Sequence, residues 1–266
     1  MLTLFLFLSA LQLNAQGIEY AGTDPISLSL AGISSVLSNN WSSFNNPAGQ
    51  ANLENTSATL GYKTIVNFSP FNTITAALNM PTKIGVLGLS ATKFGDEVFS
   101  HQQLGFSYAK RSGIMSVGLR VNLVQYQVQN FGQRSVLMAE IGGIAQLSPT
   151  FSFGAHIYNF SQSLLDKETQ ERIPTIIRMG FDYHPNDQLN VYFEAEKDIE
   201  LPSNLKIGFA YQIIENLSLR TGISTQTRQH TFGAGLKLKR FLLDYGIRSN
   251  REIRGTHNFG LTFLFK

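Results

Sequence analysis

The stretch "TFGAGLKLKRFLLDYGIR", Thr231 to Arg248, reads as two strands joined by a tight turn. Phe232, Ala234, Leu236 and Leu238 alternate with Thr231, Gly233, Gly235 and Lys237. After Lys239-Arg240 the alternation resumes, with Phe241, Leu243, Tyr245 and Ile247 against Leu242, Asp244, Gly246 and Arg248. A period of two puts most of the apolar side chains on one face of a pleated strand and the glycines and charges on the other. Two architectures accept such hairpins: a soluble sandwich, whose apolar faces meet each other, and a membrane barrel, whose apolar faces meet lipid.

The same pattern recurs along the chain. Leu189, Val191, Phe193 and Ala195 alternate with Asn190, Tyr192, Glu194 and Glu196, and Phe259, Leu261, Phe263 and Phe265 alternate with Asn258, Gly260, Thr262 and Leu264. About fourteen such segments follow Thr56. At roughly 9 to 13 residues they have the length of tilted membrane-spanning strands, whereas soluble strands run about 5 to 6. Short turns at Met80, Lys110, Leu147, His184, Ile214 and Lys239 alternate with longer connections from Lys93, Gln127, Ser161, Lys197 and Ser249. Short turns at one end and longer loops at the other define an up-and-down barrel with both termini on the periplasmic side. Closure also removes the unpaired edges that lipid could not satisfy. The expectation is an all-β, transmembrane antiparallel barrel over residues 56–266, with no second globular domain.

Composition narrows the function classes. The 266 residues carry a net charge of +3, 15% charged residues and no cysteine. A nucleic-acid binder, a disordered acidic chain and a disulfide scaffold are thereby excluded. The opening "MLTLFLFLSALQLNAQ" reads as a secretory signal over residues 1–15, ending at Ala15.

Residues 16–55 are the only part of the mature chain without strand periodicity. Inward glycines such as Gly180, Gly233, Gly235, Gly246 and Gly260 leave room in the lumen, and this segment is the natural occupant. Its "SLSLAGISSVL", Ser27 to Leu37, fits either one short helix or an extended buried piece. In "NNPAG", Pro47 pushes Asn46 toward an extended conformation and Gly49 permits a left-handed one. Trp41, Phe44 and the scarcity of charge argue against a disordered leader.

Lumen charges must be paired or wet. A tight hairpin at "HPNDQ" sets Tyr183 beside Leu189 and Arg178 opposite Glu194, and Lys206 on the next strand points the same way. The expected cluster is Arg178, Asp182, Glu194, Glu196 and Lys206, either a brace between wall and plug or a selectivity element. Arg120, Glu140, Arg220, Lys237, Asp244 and Arg248 are also expected to face the lumen, scattered rather than clustered. On the outer face Tyr62, Phe106, Tyr108, Phe181, Tyr183, Tyr211 and Tyr245 are candidates for interface girdles. His101, His156, His184, His230 and His257 fall in separate strands or turns without metal-ligand spacing. No nucleophile, base and acid converge, so neither an enzyme nor a cofactor or metal site is expected.

Ala31-Gly32-Ile33, then "NNPAGQA" from Asn45 to Ala51 and an immediate first strand, resemble the start of FadL-type outer-membrane barrels and of the compact PorV/PorQ proteins that accompany type IX secretion. The resemblance extends over nearly the whole mature chain. It implies a fourteen-stranded barrel in the bacterial outer membrane whose N-terminal segment folds into the lumen as a hatch. Gly32, Asn46, Pro47, Ala48 and Gly49 match its motif. Phe259, Phe263 and Phe265 resemble the C-terminal signal read by barrel-assembly machinery, although Lys266 follows them. The chain lacks the large loops of the FadL transporters and is therefore closer to the PorV/PorQ branch. That branch implies a non-enzymatic anchor or accessory subunit for secretion or envelope assembly, with outer-membrane lipid and envelope proteins as partners and no nucleic acid. The alternative is a FadL-like transporter of hydrophobic or small solutes, which calls for an apolar site beside the plug and a lateral gap in the wall.

Overall fold

The computed structural model describes residues 24–66, 72–165, 172–199, 201–225, 230–249 and 255–265; the signal segment 1–15 lies outside them. The first half of the wall comprises β1 (Ser57–Ile65), β2 (Thr73–Thr82), β3 (Gly85–Gly95), β4 (Phe99–Ser112), β5 (Met115–Val128), β6 (Gly132–Ser148) and β7 (Phe151–Tyr158). The second comprises β8 (Ile176–Asn186), β9 (Leu189–Asp198), β10 (Asn204–Ile214), β11 (Leu217–Ser224), β12 (His230–Leu238), β13 (Phe241–Arg248) and β14 (Thr256–Leu264). Each strand pairs antiparallel with the next, and β1 pairs with β14 to close a fourteen-stranded barrel.

Strand β5 shows which solvent the wall is built for. Ser116, Gly118, Arg120, Asn122 and Val124 are buried, while Met115, Val117, Leu119, Val121 and Leu123 are 43–53% exposed. A soluble sandwich would cover the apolar row; here the polar row is covered, so the outer face is made for lipid.

The alternation of turn lengths is present. β2–β3, β4–β5, β6–β7, β8–β9, β10–β11 and β12–β13 are joined through two residues each, all at one end. Ser57 pairs with Leu264 at that same end, so the barrel begins and finishes there. The connections from Lys93 and Gln127 are shorter than expected, at 96–98 and 129–131, because ladder pairing continues to Gly95↔Ser100 and Val128↔Gly132.

Asp24 to Asn52 lies inside the barrel. Helix α1 (Pro25–Ser29) begins at Asp24, whose side chain accepts from Ser27 N at 2.8 Å. Only the start of the Ser27–Leu37 stretch is helical, because Ala31 (φ 58°) and Gly32 (φ 82°) turn the chain out of the helix. Pro47–Asn52 form a 3-10 helix capped by Asn46, which is extended (φ −71°, ψ 112°). Gly49 sits in that helix and is not left-handed, against expectation. What it supplies is space, since a Cβ there would overlap Leu37 O and Ser42 Oγ.

Inward glycines form the seat for this segment. A Cβ at Gly118 would overlap Pro47 and Ala48, at Gly142 Asn46, at Gly154 and Gly180 Ser35, at Gly233 Ser29 and at Gly246 Pro25. Gly61 and Gly260, paired across the closing seam, flank Trp41, whose indole would lie within about 3 Å of a Cβ on either. Gly235 instead makes room for Arg220 and Asp244. Removing side chains from the wall lets backbone approach backbone, and the segment fills the resulting space closely.

Candidate functional site: the lumen

Two adjoining charged groups on the wall grip the lumen segment, His156 of one standing directly across from Arg178 of the other. On β9 and β10, Glu194 accepts from Ser34 N (2.8 Å) and Ser35 N (2.7 Å), and Lys206 Nζ lies 2.9 Å from Glu194 Oε1. Lys206 also donates to Gly32 O (3.1 Å) and to Glu196 Oε2 (3.0 Å), which Arg178 Nε meets at 2.6 Å. Arg178, Glu194, Glu196 and Lys206 are thus brought together. Asp182 is not with them: it holds Asn190 (3.0 Å) and His184 (3.6 Å), nearer the short turns.

The register differs from expectation by two residues. Arg178 stands opposite Glu196, Gly180 opposite Glu194, and Tyr183 opposite Val191. The turn is Asp187-Gln188, with Asn186↔Leu189, and an irregularity between Tyr183 and Asn186 absorbs the difference. A two-residue shift keeps every side chain on its face, which is why the cluster survives it.

The second grip is on β5, β6 and β7. Arg120 pairs with Glu140 through Nη2 and Nε, and Glu140 also accepts from Asn122 (2.6 Å) and meets His156 Nε2 at 3.0 Å. Arg120 donates as well to the carbonyls of Ser43 and Phe44 in the lumen segment. Four of the charges expected to be scattered are therefore paired: Arg120 with Glu140, and Arg220 with Asp244 at 2.6 Å. Arg120↔Glu140 is a direct cross-strand pair that the register of the β5–β6 hairpin would have disclosed. His156 carried no such signal, because it reaches Glu140 across strands from opposite Gly142.

Neutral side chains complete the seat. Asn46 Nδ2 donates to Ser35 O (2.5 Å) and Ala155 O (3.1 Å), while its Oδ1 accepts from Ala48 N. Asn79 takes Ser43 Oγ (2.6 Å) and Gln50 Nε2 (3.1 Å) and gives to Asn40 O (3.0 Å) and Ser57 Oγ (3.2 Å). Thr231 Oγ1 donates to Ser29 O and accepts from Ala31 N. Asp24 is fully buried; burial pushes its carboxyl up to about 6, against the hydrogen bonds from Ser27 N and Asn45 that favour the anion.

The lumen differs at its two ends. Toward the short turns a vestibule of about 440 Å³ is walled in part by Leu30, Val36, Leu37, Tyr192 and Arg220. Toward the longer loops Val124, Met138, Tyr158, Ile173 and Ile176 pack into an apolar cluster with Tyr126 and Val136 at its edge. Among the described residues, no group of three or more His, Cys, Asp or Glu comes together in metal-binding geometry.

On the outer face Tyr62, Phe106, Phe181, Tyr183 and Tyr211 are exposed, and Tyr108 and Tyr245 are partly covered. Tyr108 Oη donates to Ile84 O at 2.6 Å. Phe259 and Phe263 point outward from β14; Phe263 touches Phe241 (5.1 Å between ring centres) and Phe265 (4.9 Å).

These features define a transmembrane up-and-down β-barrel closed by its own N-terminal segment. No family model and no curated protein matches the sequence. Solved structures do match. The chain is similar to the CymD monoaromatic hydrocarbon channel (14% identity, 92% of this chain and 98% of that chain, TM-score 0.73). It is also similar to the toluene transporter TbuX of Ralstonia pickettii (14% identity, 93% and 99%, TM-score 0.72) and to a FadL homologue of Pseudomonas aeruginosa (11%, 92% and 98%, TM-score 0.64). The fold is that of the FadL-type outer-membrane channels.

Proposed function

We propose that this chain is a non-enzymatic member of the FadL superfamily in the bacterial outer membrane, passing small hydrophobic solutes. The observation that carries the reading is the apolar cluster at the long-loop end of the lumen, apart from the charged groups that grip the plug. An apolar solute gains free energy on leaving water for that cluster. The shared fold with channels described as carrying monoaromatic hydrocarbons and toluene supports transport over the PorV/PorQ-type anchor of a secretion system. In this reading the short-turn end and both termini are periplasmic, Phe259, Phe263 and Phe265 serve assembly, and Gly32 and Asn46 to Gly49 hold the plug.

The test is uptake of radiolabelled toluene by Gram-negative cells expressing the barrel. Uptake several-fold above cells without it is expected. No uptake, together with stoichiometric recovery of another envelope protein on the tagged barrel, would return the anchor reading to first place.

A further inference from the structure

The outer face carries a hollow where the barrel closes. It measures about 590 Å³ and extends from Ala234 and Leu236 on β12 to Ile74 on β2. Gly61 and Gly260, opposite each other across the β1–β14 seam, line it without side chains, so its floor there is backbone. Cross-strand register sets the walls. Tyr245, Phe259 and Tyr62 stand in one outward row, the first two rings 5.1 Å apart. The next outward row toward the short turns is Leu236, Leu243, Leu261 and Leu60. On the long-loop side the hollow ends at a polar pair, Tyr245 Oη and His257 Nδ1 at 2.7 Å. On the short-turn side Ala58 stands between Phe263 and Leu78, which leaves a gap in the third row.

Charge is uneven around the short-turn rim. The six two-residue turns are Lys83-Ile84, Gly113-Ile114, Pro149-Thr150, Asp187-Gln188, Glu215-Asn216 and Lys239-Arg240. Only the last consists of two cations, and it joins β12 to β13 directly beneath the hollow. Lys239 and Arg240 are exposed, and their side chains have no ion-pair or hydrogen-bond partner among the described residues.

One kind of molecule meets both features. Cations at a membrane surface attract anionic headgroups. An acyl chain lying in a hollow gains dispersion contacts that a chain against a smooth wall lacks. The spacing also fits: Tyr245 follows Arg240 by five residues, about 17 Å along a strand and less once the strand tilts. That is about half of a hydrocarbon core roughly 30 Å thick, the reach of one acyl chain.

We propose that the seam hollow and the Lys239-Arg240 turn form a binding site for one anionic phospholipid of the periplasmic leaflet. Its phosphate is met by Lys239 and Arg240, and one acyl chain lies over Gly61 and Gly260. The inference goes beyond the transport reading and takes from it only the periplasmic position of the short turns.

The test is native mass spectrometry of the barrel in detergent, offered equal amounts of phosphatidylglycerol and phosphatidylcholine with the same acyl chains. One phosphatidylglycerol is expected per barrel, retained at least five-fold over phosphatidylcholine. The variant Lys239→Gln with Arg240→Gln should bring that preference below two-fold. Lys83→Gln with Lys110→Gln, which removes the same charge elsewhere on the rim, should leave it unchanged. Ala234→Phe, which fills the hollow from its lipid-facing side, should reduce retained phosphatidylglycerol several-fold. Equal retention of the two lipids by wild type overturns the site, as does an undiminished preference in the Lys239 and Arg240 variant. An equal loss in the Lys83 and Lys110 variant shows that only the overall charge of the rim acts, and undiminished retention in Ala234→Phe shows that the hollow holds no chain; either also overturns it. None of these outcomes depends on toluene uptake, so the transport reading stands or falls separately.

Discussion

The seat of the lumen segment and the patch beside β6, where the turn at Asn159–Ser163 stands in place of a β7 that pairs only from Ile141 onward, close the same barrel by different chemistry. In the seat, wall glycines bring backbone against backbone, and buried Glu194, Lys206, Arg120 and Asn79 each hold groups on the plug. At the patch, serine hydroxyls stand in for a missing ladder, in part-exposed surroundings. Buried, fully partnered polar groups are costly to disturb, whereas exposed side-chain bonds contribute little. The barrel is therefore expected to be rigid around its plug and weak at one place in its wall.

Substitutions can break that contrast, the largest first. Glu194→Ala leaves Lys206 and the Ser34 and Ser35 N–H groups without their carboxylate, a loss of about 3–5 kcal/mol for a broken buried pair. It should lower the temperature at which the barrel unfolds in detergent and raise conductance in a planar bilayer. Charge removal that changes conductance at undiminished heat resistance would instead make Glu194 a selectivity element.

The next effect is pH dependence at Asp24. Its folded carboxyl titrates near 6 rather than at 3.8, because burial disfavours the anion. The associated stability is complete below the unfolded value and is lost as pH rises through about 6, roughly 3 kcal/mol for a shift of about two units. Asp24→Asn should flatten the pH dependence of unfolding between about 4 and 6; a slope equal to that of wild type would show that the carboxyl does not govern it.

Gly142→Ala is expected to cost about 1–3 kcal/mol, since the new methyl meets the Asn46 amide within a packed seat. Circular dichroism melts compared with Gly132→Ala, where nothing lies within 4 Å although φ is +95°, would separate crowding from backbone strain. Ser163→Ala should change stability least, by about 1 kcal/mol or less, because its bond to Leu137 O is exposed. A loss at Ser163 as large as that at Gly142 would erase the distinction between seat and patch.

Much of this was legible in the sequence. The alternation in Thr231–Arg248 and the two lengths of connection led to the barrel because lipid reverses which face of a strand is covered. Gly180, Gly233 and Gly246 marked the plug's path for the same reason that Asn46-Pro47 marked its return: space and backbone direction are encoded by residue type. The cluster of Arg178, Glu194, Glu196 and Lys206 was readable because face parity survives a two-residue error in register. Asp182 misled because parity says which way a side chain points, not how far along the axis it lies.

What the chain by itself determined is periodicity: which residues face lipid, which face the lumen, and where the backbone turns. Tertiary structure alone decided that His156 reaches Glu140, that Glu194 binds Ser34 and Ser35, and that the β6 edge rests on Ser161 and Ser163. These pairings join positions brought together by strand tilt, a bulge and a strand that stops short. Such offsets arise from how fourteen strands close on a filled lumen, and no local stretch of sequence contains them.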